Sequence, residues 1–151
     1  MFYNEECCRQ FLDLVGRAVE RFGIVVHAYV LMPNHFHLLV ESVYENLSAA
    51  LKLVSQEYTQ YLNRTPGFDG SVFRGRFASK LVQDETHWHY LPIYFHLNSV
   101  RARMTMNLDD YAWSSHAAYL GETRFPEWLN TTDVMSAYGN AADFWNTLAR
   151  H

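Results

Sequence analysis

The chain has 151 residues, of which 49% are hydrophobic and 16% are aromatic, and it carries a formal net charge of −4. This composition excludes a disordered or low-complexity protein, and the length favours one domain, residues 1–151, with its own hydrophobic core. Because the chain is acidic overall, a nucleic-acid partner has to bind a local basic surface.

The cysteines and the apolar runs point to a cellular compartment. Cys7 and Cys8 are adjacent, and they are the only cysteines in the sequence. Neighbouring cysteines rarely pair with each other, and two cysteines do not build a disulfide framework, so we expect free thiols in a reducing compartment. No apolar run reaches the ~18 residues of a membrane span, and the N-terminus lacks the pattern of a signal peptide. We therefore expect a cytoplasmic protein with no membrane partner.

The first predicted elements are a helix and a β-hairpin. Residues 5–22 carry apolar side chains at helical spacing, with Asn4 as the N-cap and Gly23 as the terminating residue. Residues 24–31 are rich in β-branched and aromatic side chains, which favours a strand. A Met-Pro-Asn turn follows, and residues 35–42 return as the second strand of an antiparallel hairpin.

The remaining sequence predicts a helix, a loop, a strand, a longer helix and two short helices. Their expected bounds are 46–63 for the helix, 65–77 for the loop, 78–83 for the strand, 84–97 for the longer helix, and 132–138 and 141–150 for the short helices. Pro92 is unusual inside a helix because it lacks a backbone donor. This order predicts an α+β fold in which helices pack on one face of an antiparallel sheet.

His35 and His37 are candidate metal ligands. Successive strand residues point to opposite faces, so both imidazoles leave one face of the strand while Phe36 leaves the other. Two imidazoles spaced in this way can grip one metal ion. The alternative interpretation is a pair of ordinary histidines at the end of a sheet.

Residues 64–80 carry four basic residues and one acidic residue. Arg74 and Arg76 alternate there with Phe73 and Phe77, an arrangement that offers stacking platforms and phosphate contacts to single-stranded nucleic acid. We expect the two phenylalanines to pack the loop onto the core and the two arginines to be the functional residues.

A metal held by two histidines needs further ligands and a reacting group. Tyr94 and Asn98 are four residues apart, so they share one face of a helix. A tyrosine beside a metal-held phosphodiester is a candidate nucleophile, because the cation polarises phosphorus and favours the phenolate. Periodicity does not choose between Tyr90 and Tyr94, and a packed helix tyrosine is the alternative for either.

Four spaced stretches together give the chain a family resemblance. They are HAYVLMPNHFHLLVE (His27–Glu41), SVFRGRFASKLVQDE (Ser71–Glu85), YFHLNSVRARM (Tyr94–Met104) and DDYAWSSHAAYLG (Asp109–Gly121). In this order they resemble the REP-associated tyrosine transposases, a branch of the one-tyrosine transposases in the HUH nuclease superfamily. The resemblance covers nearly the whole chain.

The resemblance implies a ferredoxin-like core whose central strand carries the His-x-His pair. It implies that His35 and His37 bind a divalent metal, Mg²⁺ or Mn²⁺, and that Tyr94 is the nucleophile. Asn98 falls one turn later, where relatives place a polar metal ligand.

The implied reaction is nicking and joining of single-stranded or hairpin DNA. The tyrosine attacks a phosphate, leaving a 5′-phosphotyrosyl enzyme and a free 3′-hydroxyl, and another 3′-hydroxyl reverses the step. The residues expected as phosphate clamps are Arg74, Arg76 and Arg101.

The chain departs from the family pattern in several places. Relatives begin with an extra strand before the segment equivalent to 2–4, so we expect a sheet that lacks this first strand, either as a truncated copy or as a homodimer that pairs the open edge. Ser99 stands where Pro is usual, and Arg103 where Gly is usual. These departures favour an alternative function, a DNA hairpin-binding protein of the same fold that no longer cuts. A small-molecule hydrolase that uses the histidine pair is a third hypothesis.

Overall fold

The predicted β-hairpin is present and lies at the centre of the fold. The computed structural model describes residues 1–68, 72–73, 77–122 and 125–151. Strands β1 (Ile24–Met32) and β2 (His35–Ser42) pair antiparallel and form a two-stranded sheet. The register shifts between Val26 and Ala28, so His27 is an extra residue on β1 with no partner on β2.

Two helices cover one face of this hairpin. Helix α1 (Glu5–Phe22) precedes β1, and helix α2 (Leu47–Asn63) follows β2. The Asn4 side chain accepts a hydrogen bond from the Cys7 backbone N–H, and Gly23 ends α1 in the left-handed conformation at φ 63°. The core on this side is built mainly from Phe11, Leu14, Val15, Tyr29, Leu31, Val54 and Tyr58.

The opposite face is covered by helix α3 (Glu85–Arg101) and the C-terminal segments. The core on this side includes Val30, Leu39, Ile93, Phe95, Tyr119, Val134 and Phe144. The prediction that helices pack on only one face is therefore wrong. The physical reason is that β1 is apolar along nearly its whole length, so both of its faces need a cover. The α+β class itself is confirmed.

Residues 78–83, predicted as a strand, form neither helix nor strand. Most of these side chains are exposed, so the segment has no apolar face that pairing with the sheet would bury. Asp84 nevertheless caps α3 as predicted, because its side chain accepts a hydrogen bond from the Thr86 backbone N–H. Pro92 lies inside α3 and is buried, and the helix continues through it.

The C-terminal half closes the outer edge of β1. It contains a 3₁₀ turn (Leu108–Asp110) and helices α4 (His116–Tyr119), α5 (Thr132–Met135) and α6 (Ala141–Leu148). Backbone hydrogen bonds run from Leu31 N to Trp113 O (2.8 Å), from Ser115 N to Tyr29 O (3.0 Å) and from Asn130 N to Val26 O (2.9 Å). The outer edge of β1 is thus satisfied, whereas the outer edge of β2 pairs with no other strand in the described ranges.

Two simpler expectations concern the thiols and the membrane. Cys7 and Cys8 are free, as predicted, and both are buried. In the described part of the chain, no helix combines the length and apolar character needed to cross a membrane.

Candidate functional site

His35 and His37 lie next to each other on the α3 side of β2. Their ring centroids are 5.1 Å apart and their planes are nearly perpendicular. Phe36 and Leu38 pack against the core on the α1 side, so the alternation expected for a strand is present. His35 is exposed and His37 is half-buried, which leaves one side of the pair open to solvent.

The preceding turn orients the His35 ring. Nδ1 of His35 lies 2.7 Å from Oδ1 of Asn34. Because an amide oxygen only accepts, Nδ1 is the donor, and in the neutral ring Nε2 keeps its lone pair. A metal ligand is commonly held in this way, with one nitrogen hydrogen-bonded and the other free to bind.

His37 is held by packing against α3. Its ring stacks on Phe95 with 5.3 Å between centroids and 26° between planes. Burial, and then the charge of neighbouring His35, lower the pKa of His37 below its ordinary value. The neutral form, which is the form that binds metal, is therefore favoured.

Tyr94 is the tyrosine that α3 brings to this pair. Its ring centroid lies 6.4 Å from that of His37, and its side chain is 37% exposed. Tyr90 instead contacts the ring of His151 at 5.2 Å, and within the described ranges it makes no ring contact with His35 or His37. The structure thus distinguishes Tyr94, which approaches the histidine pair, from Tyr90, which contacts His151. Helical periodicity alone does not make this distinction.

Of the other predicted site residues, Arg101 contacts Tyr94 and Asn98 bonds to its own helix. The guanidinium carbon of Arg101 lies 5.6 Å from the centroid of the Tyr94 ring, a cation–π contact. Asn98 donates from Nδ2 to the Tyr94 carbonyl oxygen at 3.1 Å, so its amide is tied to its own helix on that side. Arg74 and Arg76 lie outside the described residues.

A cavity of about 960 Å³ runs between β2, α3 and residues 77–82. His37, Tyr94 and Phe95 contribute to its lining, as does Glu41 further along β2. This volume lies within the ~300–1,000 Å³ typical of ligand sites. Phe73, predicted to hold its loop on the core, packs against the α1 side of the hairpin, whereas Phe77 lines the cavity.

A second polar cluster was missed by the sequence analysis. A nitrogen of His27 and carboxylate oxygens of Glu41 and Asp133 all lie within 4.8 Å of one another, so this group can hold a metal ion. The only local signal is that His27 and Glu41 are the first and last residues of the stretch HAYVLMPNHFHLLVE. Asp133 reaches them through the tertiary fold, and no spacing rule predicts that contact.

His96, in the same stretch as Tyr94, has a structural position. It is fully buried, and its Nε2 lies 2.9 Å from Oγ of Ser115. Its ring also contacts that of His116, with 5.2 Å between centroids. These contacts join α3 to the Asp109–Gly121 stretch. Burial, with a smaller effect of His116, holds the pKa of His96 well below its ordinary value.

Comparisons of the chain with protein-family models, curated proteins and solved structures find no match. The functional interpretation therefore depends on the residues themselves. The site combines two imidazoles, a partly exposed phenol and a guanidinium, and of these residues His37 and Tyr94 line the cavity. That combination suits a reaction of a phosphate ester, for which a cation, a nucleophile and a positive clamp are needed.

Proposed function

We propose that the chain nicks and joins single-stranded DNA, with Tyr94 as the nucleophile and a divalent metal held by His35 and His37. The observation that carries this proposal is the approach of the Tyr94 ring to His37, at 6.4 Å between centroids. The resemblance of four stretches to the REP-associated tyrosine transposases, with their ferredoxin-like core, supports it. Hairpin DNA is the corresponding partner.

The residues at the histidine pair fit a metal. His35 keeps Nε2 free, His37 favours its neutral form, and the exposed side gives an ion access. Oδ1 of the Asn98 side chain is the proposed third ligand, since Nδ2 is the side-chain atom that donates to the helix. Imidazole ligands suit Mn²⁺ better than Mg²⁺, which prefers oxygen. When bound, the ion polarises the scissile phosphate and neutralises charge on it.

The protein groups carry out the transfer itself. The Tyr94 oxygen attacks phosphorus and loses its proton to water, the phosphorus–O3′ bond breaks, and the leaving 3′-oxygen takes up a proton. The products are a 5′-phosphotyrosine and a 3′-hydroxyl, and the reverse step joins strands. Arg101, beside the Tyr94 ring, places a positive charge where the phosphate arrives.

The test is formation of a covalent adduct. Wild-type protein, incubated with a labelled DNA hairpin and Mn²⁺, should give a protein–DNA band that survives denaturation. Tyr94→Phe and His35→Ala should abolish this band, while Tyr90→Phe, the matched control from the same helix, should retain it. An adduct in Tyr94→Phe would show that another residue, with Tyr90 first, is the nucleophile.

Binding without cutting is the second candidate function. The observation that favours it is the hydrogen bond from Asn98 Nδ2 to the Tyr94 carbonyl oxygen, which holds the Asn98 side chain along its own helix. On this hypothesis the wild type shifts hairpin DNA in a native gel but forms no adduct with Mn²⁺. The small-molecule hydrolase hypothesis predicts neither result.

A further inference from the structure

The polar cluster around His27 lies at the opposite end of the hairpin from the turn. His27 is the extra residue in the β1 bulge, and its side chain is completely buried. Nε2 of His27 lies 3.3 Å from Glu41 Oε2 on β2, and Nδ1 lies 3.8 Å from Asp133 Oδ2 on α5. The two carboxylate side chains are about half exposed, so solvent reaches the cluster from their side.

Nδ1 of this buried ring lacks a hydrogen-bond partner in the described part of the chain. An ionised carboxylate only accepts hydrogen bonds, so Nε2 donates to Glu41, and Nδ1 of the neutral ring carries a lone pair. That lone pair faces another acceptor, the Asp133 carboxylate. A positive charge between the buried His27 Nδ1 and the half-exposed Asp133 carboxylate would satisfy both acceptors.

We propose that this gap binds a divalent transition-metal ion of the zinc class, independently of the proposed function. His27 Nδ1 and the Asp133 carboxylate are the ligands, with water in the remaining positions. Glu41 holds the Nε2 proton and orients the ring, an arrangement common behind metal-bound histidines. The two carboxylates together match the charge of the ion.

The distances fit such an ion. Zinc binds histidine nitrogen and carboxylate oxygen at about 2.0–2.2 Å, so two ligand atoms at a tetrahedral angle lie about 3.4 Å apart. The observed 3.8 Å between Nδ1 and Oδ2 needs only a small movement of the exposed Asp133 side chain. An imidazole ligand disfavours Mg²⁺ and Ca²⁺, which take oxygen.

Binding of the ion would link the sheet to the C-terminal half of the chain. Asp133 belongs to α5, and the preceding Asn130 already donates its backbone N–H to Val26 O at 2.9 Å. An ion joining His27 to Asp133 would fasten this contact and raise the melting temperature, because the unfolded chain lacks the site. Glu41 is four residues from His37, so the two proposed metal sites are about 13 Å apart along the strand, although both residues line the same cavity.

The experiment measures how many equivalents of Zn²⁺ bind when one site or the other is removed by substitution. Equilibrium dialysis against Zn²⁺, followed by elemental analysis, should find one equivalent in the His35→Ala/His37→Ala double variant, which lacks the other histidine site. Adding Asp133→Asn should remove that equivalent and the rise in melting temperature with Zn²⁺. Adding Glu127→Gln instead, an exposed carboxylate outside the cluster, should leave both unchanged.

Two further readouts complete the test. Glu41→Ala in the double variant should weaken Zn²⁺ binding about 10–100-fold, because the His27 ring loses its orienting acceptor. Zinc should also shift the ¹⁵N resonance of His27 Nδ1. The proposal fails if the double variant binds no Zn²⁺, if Asp133→Asn keeps the equivalent, or if the His27 resonance does not respond. Asp133 is exposed, and unchanged circular dichroism of its variant would show that the fold persists.

Discussion

Asn34 in the hairpin turn holds the ring of His35 through a 2.7 Å contact between Oδ1 and Nδ1. The residue that shapes the turn therefore also sets which nitrogen of the first strand histidine is free. The exposed ring would otherwise rotate about two side-chain bonds. Asn34 thus contributes to the candidate site by orienting the ring of its neighbour in sequence.

Asn34→Ala should weaken metal binding at the histidine pair by about 10–100-fold, because the ring loses its orienting partner. The measurement is the Mn²⁺ concentration that gives half-maximal formation of the hairpin adduct. Asn34→Asp, which keeps an acceptor at the same place, should stay close to the wild type. Equal metal dependence in Asn34→Ala and the wild type would exclude this role for Asn34.

Arg101→Gln should reduce affinity for hairpin DNA about equally for all sequences, because a phosphate clamp does not read bases. The slope of log affinity against log salt concentration should fall by about 1. Arg21→Gln is the matched control, since the guanidinium carbon of Arg21 lies 5.5 Å from the Phe22 ring on α1, at the far side of the hairpin. Identical salt slopes for Arg101→Gln and the wild type would contradict the clamp.

Local signals predict the hairpin and its flanking helices well. The Asn4 cap and Gly23 fix both ends of α1, and the alternation after the turn places His35 and His37 on one face. These features depend on neighbours within a few residues, which a sequence displays directly.

The failures concern contacts between distant segments. The sequence shows that β1 is apolar, but it does not show which segments cover its two faces. It therefore does not predict that α3 and the C-terminal half cover the face opposite α1. Residues 78–83 have strand-like composition but no buried face, so packing overrides propensity. The cluster of His27 with Asp133 likewise arises only when α5 packs against the bulge.

Buried histidines should make stability fall in mild acid. Burial lowers the pKa of His96, and of His116 despite the opposing effect of Asp109, whereas an unfolded histidine titrates near 6.5. Below that pH the unfolded chain takes up protons that the native chain does not, so the free energy of unfolding decreases as pH falls. The loss is up to about 1.4 kcal/mol per pH unit for each such group.

Urea unfolding at pH 7.5 and at pH 5.5 measures this effect. His96→Gln keeps a donor for Ser115 but cannot be protonated, so its stability at pH 7.5 should drop while its dependence on pH becomes weaker. If His96→Gln loses as much stability as the wild type between these two pH values, His96 is not responsible.

Arg103 ends α3 in a conformation that favours glycine. Its φ is 57°, and the Arg103 and Met104 backbone N–H groups donate to Val100 O and Ser99 O, both at 2.9 Å, the hydrogen bonds of a Schellman motif.

Arg103→Gly should raise the free energy of unfolding by about 0.5–1 kcal/mol. The left-handed conformation costs a non-glycine residue about 1–2 kcal/mol, and the greater chain entropy of glycine offsets part of the gain. Chemical denaturation measures the change. Arg103→Ala, which removes the charge but keeps the strain, should stay within about 0.5 kcal/mol of the wild type. A stability gain in Arg103→Ala equal to that of Arg103→Gly would assign the effect to charge and not to the backbone.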